Sequence, residues 1–66
     1  MPTILRRSEV CRRVGLSHQS IWRKEARGTF PKRVQLGPAS VGWLEAEVDG
    51  WIEARIAERD ARQTAA

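Results

Sequence analysis

The 66-residue chain is long enough for one small domain, and it carries 12 lysine and arginine residues against eight acids, a formal net charge of +4. A chain of this size leaves no room for a separate catalytic domain. The single cysteine, Cys11, excludes an internal disulfide and a thiolate zinc site, and we expect it to be a small buried apolar side chain. No apolar run approaches the ~20 residues that span a bilayer, and no signal peptide is recognisable. We therefore expect a cytoplasmic protein with no membrane contact.

Positive charge is concentrated in the first part of the chain. Residues 1–40 contain nine basic residues and two acids, Glu9 and Glu25, whereas residues 41–66 contain three arginines and six acids. The two parts therefore carry +7 and −3. Charge divided in this way attracts a polyanion toward one face of a molecule, which indicates nucleic acid as a partner.

The basic part begins with an expected extended segment over residues 1–7, whose Ile4 and Leu5 reach the core. Two short helices joined by a glycine turn follow. Ser8 is placed to cap a helix over residues 8–14, which Gly15 ends in the left-handed conformation. Ser17 is placed to cap a second helix over residues 17–27, ended by Gly28. Four apolar side chains are left to pack the helices together: Val10, Val14, Leu16 and Ile21.

The other face of the second helix carries side chains suited to DNA. A helix-turn-helix inserts its second helix into the major groove, where Gln pairs with adenine and Arg with guanine through two hydrogen bonds. A solvated charged face is the alternative for the basic side chains. Trp22 is expected to pack at the core edge rather than to contact phosphate, and His18 lacks partners for metal or acid–base chemistry. The predicted DNA-facing residues are His18, Gln19, Ser20, Arg23, Lys24 and Arg27.

A two-stranded hairpin is predicted after the second helix. The Phe30-Pro31 pair favours an extended exit from the helix. Residues 32–36 alternate polar and apolar side chains, which predicts a half-buried strand, and residues 37–40 form a turn that leads to a strand over 41–43. Two strands in this place predict a wing. Its expected phosphate contacts are Lys32, Arg33 and Gln35, to which Arg6 and Arg7 add backbone contacts or stay idle.

The last part of the chain, residues 44–62, changes to a helical period. Acids crowd the first turns of this predicted helix, where the helix dipole favours them, and Gly50 weakens it by up to about 1 kcal/mol. Trp43 and Trp51 are expected in the core, and residues 63–66 are expected to fray. The apolar stripe consists of Leu44, Val48, Trp51, Ile52 and Ile56.

Three motifs are specific in combination, and they follow the run GLS at 15–17: FPK at 30–32, VGW at 41–43 and ExEVDxWI at 45–52. Together they resemble the AlpA-type phage regulators, small winged helix-turn-helix proteins related to excisionases and to the MerR class. The resemblance implies double-stranded DNA binding by a transcriptional regulator, or by an excisionase that sets the direction of recombination for a prophage or other integrated element. It implies a wing over residues 32–40, including Ser40, and a DNA-facing helix with His18, Gln19, Ser20, Trp22, Arg23 and Lys24.

The expected fold is α+β and mostly helical, a winged helix-turn-helix over residues 1–62 with a two-stranded wing and a C-terminal amphipathic helix. Such a protein would be no enzyme and would need no cofactor or metal. An integrase or RNA polymerase is the candidate protein partner, and a monomer is expected to assemble on repeated DNA sites. The alternative is a protein-interaction module that docks a partner through its acidic C-terminal helix.

Overall fold

Three helices and three strands follow one another within residues 2–65, which the computed structural model describes together with the side chains of residues 2–63. The fold is α+β, with a three-stranded antiparallel sheet in the order β1-β3-β2, and it is compatible with a small winged helix-turn-helix. None of these helices is both long and apolar enough to cross a membrane. The elements are β1 (Ile4–Leu5), α1 (Arg7–Val14), α2 (His18–Arg27), β2 (Val34–Gly37), β3 (Ser40–Leu44) and α3 (Glu45–Ala65).

The start of α1 differs from the prediction. Arg6, not Ser8, occupies the N-cap position, where no side chain caps the helix, and Ser8 lies inside the first turn. The predicted Ser8 cap is therefore wrong. The reason is tertiary: Leu5 pairs with Trp43 in the sheet, so that Arg6 alone connects β1 to the helix. The predicted end of α1 is confirmed, because Gly15 has a φ of 71°.

Both ends of α2 are as predicted. The Ser17 side chain accepts a hydrogen bond from the Ser20 backbone N–H at 3.2 Å. Gly28 has a φ of 77°, and its N–H donates to the carbonyl of Glu25 at 3.0 Å. The helix that carries most of the predicted DNA-facing residues thus begins at a side-chain cap and ends at a glycine in the left-handed conformation.

Strand β2 is shorter and more exposed than predicted. It begins at Val34, and it is joined to β3 by a two-residue turn at Pro38 and Ala39. Its register shifts between Gln35 and Gly37, which makes Leu36 the irregular residue. The expected half-burial of this strand is wrong, because Val34 pairs with Gly42 while the core side chain of β3 is the next residue, Trp43. The apolar side of β2 therefore lies on the sheet face away from Trp43.

The core lies between the helices and the inner face of the sheet. Trp43, Ile21, Val10 and Val48 are its largest fully buried side chains, and Leu5 and Phe30 complete it. Partly buried apolar residues pack against it, including Cys11, Val14, Leu16, Trp51 and Ile52. The core predictions for Leu5, Val10, Ile21 and Trp43 are confirmed, whereas Cys11 and Trp51 are only partly buried. The expectation that Ile4 reaches the core is wrong, because Ile4 pairs with Leu44 and lies on the sheet face away from Trp43.

The predicted stripe on the last helix is wrong at both ends. Leu44 belongs to β3, and Ile56 is 42% exposed. Leu44 pairs with Ile4 in the sheet, and Ile56 lies too far along α3, which has 21 residues. At about 1.5 Å per residue it spans roughly 30 Å. Only its first two turns reach the core, through Val48, Trp51 and Ile52. The helix continues to Ala65, beyond the predicted end at Arg62; Ala66 lies outside the described residues, and fraying of the tail stays a prediction.

We expect the Gly50→Ala variant to be more stable than the wild type by up to about 1 kcal/mol, because Gly is unfavourable inside a helix. Gly50 is exposed in α3, and a Cβ atom added there meets nothing within 4 Å. Urea denaturation followed by circular dichroism measures the difference.

Gly42→Ala is the matched control, with the opposite expected sign. A Cβ at Gly42 would clash with the Ile4 side chain and lie 3.0 Å from the Leu5 carbonyl oxygen. A Gly50→Ala midpoint below that of the wild type would contradict the prediction.

Candidate nucleic-acid interface

The outer face of α2 is a surface of exposed polar and basic side chains. His18, Gln19, Arg23 and Arg27 are exposed, while Ser20 and Lys24 are half-buried. The Ser20 hydroxyl lies 3.1 Å from that of Ser17 and accepts a hydrogen bond from Arg23 at 3.4 Å. The cap of α2 thus also supports a basic side chain at the middle of the helix.

Trp22 is the most exposed large apolar side chain described, at 64%. The expectation that it packs at the edge of the core is wrong. The buried positions of α2 are Ile21 and Glu25, four residues apart, and Trp22 lies about 100° away from Ile21 around the helix. It lines a cleft of about 250 Å³ together with Arg7, His18, Gln19, Ile21, Arg33 and Trp43. The apolar surface of Trp22 therefore lies near Arg7 and Arg33, on the side of α2 that faces the hairpin.

Glu25 is a buried hydrogen-bond acceptor that was not expected from the sequence. Its side chain is 9% exposed and accepts hydrogen bonds from the Arg33 backbone N–H at 2.8 Å and from the Trp43 indole N–H at 3.2 Å. The Arg33 guanidinium also donates to it, with Nε 3.1 Å from Oε1. Its position in the sequence could have indicated this burial, because Glu25 lies one turn after Ile21, on the apolar side of the helix.

The hairpin residues predicted to contact phosphate fall into different environments. Lys32 is exposed. Arg33 is bound to Glu25 and stacks 5.3 Å above the Trp43 ring, and its pKa is raised, chiefly by the hydrogen bond to Glu25. The Gln35 side-chain amide donates to the Gly37 carbonyl, and Ser40 is half-buried at the start of β3. The structure thus leaves Lys32 as the freely projecting cation of this segment.

The N-terminal arginines lie beside the hairpin. Arg6, Arg7 and Ser8 line a cleft of about 300 Å³ together with Ala39 and Val41. Because Arg7 also lines the cleft at Trp22, it connects the hairpin to the exposed face of α2. Six basic side chains of this region form no ion pair with another residue in the described part of the chain: Arg6, Arg7, Arg23, Lys24, Arg27 and Lys32. We call them the free cations.

The other arginines of α1 are paired with acids. Arg12 contacts Glu9 at 2.7 Å, and Arg13 lies 3.2 Å from Glu45 and 3.5 Å from Asp49 of α3. Positive charge on the outer side of α1 is therefore largely compensated, and the uncompensated charge lies on α2, at residues 6–7 and at the entrance to β2. Across residues 2–63, no cluster of three His, Cys, Asp or Glu side chains could hold a metal.

Residues 3–56 match the family model described as prophage CP4-57 regulatory protein (AlpA), and that range includes α1, α2 and the hairpin. The chain belongs to the AlpA family. The resemblance inferred from the sequence motifs is thereby confirmed.

Two relatives illustrate the membership. The DNA-binding transcriptional activator AlpA of Escherichia coli (strain K12) is 41% identical over 58 residues, which is 79% of this chain and 83% of that protein. Uncharacterized protein ORF88 of Enterobacteria phage P4 is 44% identical over 55 residues, or 83% of this chain. The match spans 62% of the phage protein, so this AlpA-family chain covers only about three fifths of that relative.

Proposed function

We propose that this AlpA-family chain binds double-stranded DNA sequence-specifically and regulates transcription of a prophage or other integrated element. The observation that carries the proposal is the set of free cations, which lies on α2, at residues 6–7 and before β2 without intramolecular ion pairs. Phosphate supplies the missing counter-charge. The E. coli relative, a DNA-binding transcriptional activator, supports the same assignment.

In the proposed complex, α2 enters the major groove and the β2–β3 hairpin acts as a wing against the backbone. Gln19 and Arg23 lie on the exposed face of α2 and are the base-reading candidates, because their side chains can make two hydrogen bonds with one base. Lys24, Arg27, Lys32 and the pair Arg6 and Arg7 hold phosphates. Trp22 adds apolar contact with sugar or a thymine methyl group. The protein acts by occupying DNA and catalyses no reaction.

Excision is a second role for the same surface, since an excisionase also acts by bending and occupying DNA. A reporter assay with RNA polymerase and a recombination assay with the element's integrase separate the two roles. We infer that the protein acts in the cytoplasm. We also infer a monomer that assembles on repeated sites, because one recognition helix reads only a few base pairs. A tight dimer in sedimentation without DNA would contradict this assembly.

The acidic last helix gives the protein-interaction alternative less support than its composition suggested. Glu45 and Asp49 lie within 3.5 Å of Arg13, so part of the negative charge of α3 is compensated within the molecule. The free cations have no such compensation. The charge distribution therefore favours DNA over an acid-mediated protein contact.

Binding to a duplex is expected to weaken steeply with salt. If the five free cations other than Arg23 meet phosphates, the logarithm of affinity falls with the logarithm of salt concentration with a slope of about −4.5. Fluorescence anisotropy of a labelled duplex over a series of KCl concentrations measures it.

Arg27→Ala should reduce the magnitude of the slope by about one. Arg59→Ala is the matched control, because Arg59 lies on α3 paired with Asp60, and it should leave the slope unchanged. A wild-type slope shallower than about −2 would contradict DNA binding and favour the interaction module.

A further inference from the structure

The buried carboxylate of Glu25 connects three separate parts of the molecule. It belongs to α2, and its donors come from the segment that enters β2 and from the middle of β3. Arg33 and Trp43 thus attach the two arms of the hairpin to the same turn of α2. Among the described side chains, Glu25 is the only charged one that is buried.

The bonds to Glu25 constrain direction as well as distance. The Arg33 backbone N–H and guanidinium bind the carboxylate from the segment that precedes β2, at 2.8 and 3.1 Å, and the Trp43 indole binds it from β3, at 3.2 Å. The Arg33 guanidinium is further held over the Trp43 ring at 5.3 Å. Charge-assisted hydrogen bonds from a planar guanidinium are directional, so this arrangement defines one orientation of the hairpin relative to α2.

Stability alone does not account for a buried carboxylate with a charged partner at this place. Well-packed apolar residues of similar volume commonly stabilise a fold as well as such a pair does, because a buried ion loses its hydration. Here that cost falls on Glu25, whose side chain is 9% exposed, whereas the Arg33 side chain is 37% exposed. Fixing a unique geometry is the role for which such pairs are best suited. Here the parts whose relative geometry is fixed are α2, which carries three of the free cations, and the segment that enters β2, which carries Lys32.

We propose that Glu25 is a positioning residue for DNA reading, which sets the angle between α2 and the hairpin and keeps Arg33 from contacting phosphate. This inference rests on the proposed function. In it, the hairpin contributes to affinity through Lys32 only when Glu25 holds it in place, and Arg33 is a support rather than a DNA ligand.

The test uses the full chain and three variants. Glu25→Gln removes the charge but keeps an oxygen for the Trp43 indole. Arg33→Lys keeps the positive charge and the backbone N–H but loses the planar guanidinium. Glu53→Gln makes the same change of net charge as Glu25→Gln at an exposed residue of α3, and it is the matched control. Thermal melts by circular dichroism establish that each variant is folded at the temperature used.

The first measurement needs no DNA. Order parameters from ¹⁵N relaxation of the hairpin amides are expected to fall from about 0.85 toward 0.7 in Glu25→Gln and Arg33→Lys, with those of α2 unchanged. Unchanged hairpin order in both variants would overturn the positioning role, whatever the protein binds. A variant that fails to fold leaves the other to decide.

The second measurement uses the duplex that the wild type selects from a randomised pool, and a scrambled duplex of equal composition. Glu25→Gln and Arg33→Lys are expected to bind the selected duplex about tenfold more weakly, with protection lost at the edges of the hydroxyl-radical footprint. If Arg33 instead contacts phosphate, Arg33→Lys binds nearly as wild type and Glu25→Gln binds the scrambled duplex more tightly, which would overturn the proposal. If the wild type selects no duplex from the pool, the proposed function fails, while the relaxation data still decide whether Glu25 orders the hairpin.

Discussion

The Trp43→Ala variant is expected to lose about 3–5 kcal/mol of its free energy of unfolding, which is comparable to the whole stability of a domain of this size. Trp43 is 1% exposed and is the largest fully buried side chain of the core. Its replacement opens a cavity between the sheet and α2, and it leaves the Glu25 carboxylate without its indole donor. We therefore expect a largely unfolded protein at 37 °C, measured by circular dichroism and urea denaturation.

Two further substitutions show which part of the loss belongs to which interaction. Trp43→Phe keeps an aromatic ring but removes the N–H, and it should cost about 1–3 kcal/mol for the buried acceptor. Trp22→Ala is the matched control, because it too removes a tryptophan, but from an exposed site. It should change stability by less than about 0.5 kcal/mol. A Trp43→Ala protein that unfolds at the wild-type urea concentration would contradict the description of the core.

The parts of the fold that depend on local chemistry were predictable from the sequence. Ser17 caps α2, and Gly15 and Gly28 end their helices in the left-handed conformation, because each of these roles involves residues within one turn of chain. The change from a period of two to a helical period likewise located the hairpin and α3. Such signals do not depend on what the rest of the molecule does.

The errors arose where distant parts of the chain meet. Pairing of Ile4 with Leu44 makes a third strand from the N-terminal segment and removes Leu44 from the last helix. The same pairing moves the start of α1 away from Ser8. Ile56 fits the helical period, but it lies beyond the surface that the core offers to α3. A sequence pattern shows which face of an element is apolar, but not where its neighbour ends.

The candidate site likewise has residues that were predictable from local sequence and residues that depend on contacts between distant parts of the chain. The exposed residues of α2 were found because helical spacing alone separates them from Ile21. Arg33 and Glu25 are eight residues apart and both charged, so composition counts them as surface residues, and only the bend of the chain after α2 brings them together. Trp22 shows the converse case, an apolar side chain that the fold leaves exposed.

Base reading and phosphate holding should be separable by mutation. We expect Gln19→Ala and Arg23→Ala each to lose about 1–3 kcal/mol of discrimination between the selected and the scrambled duplex, because a bidentate contact with one base is worth this much. Both residues are exposed on α2, and Arg23 is held toward the first turn by Ser20. Lys32→Ala should instead weaken both complexes by similar factors, since a phosphate contact carries no sequence information.

Competition titrations at one fixed salt concentration measure the two affinities for each variant, and their ratio is the discrimination. Arg55→Ala is the control, because Arg55 is a cation of α3 that pairs with Glu58 and stacks on Trp51, away from the free cations. If Gln19→Ala and Arg23→Ala weakened both duplexes alike while Lys32→Ala reduced the ratio, the roles of α2 and the hairpin would be the reverse of those proposed. The expected order follows from position in the proposed complex. Gln19 and Arg23 lie one turn apart on the exposed face of α2, the helix that would meet base edges. Lys32 precedes the edge strand β2, where the hairpin would meet the phosphate backbone.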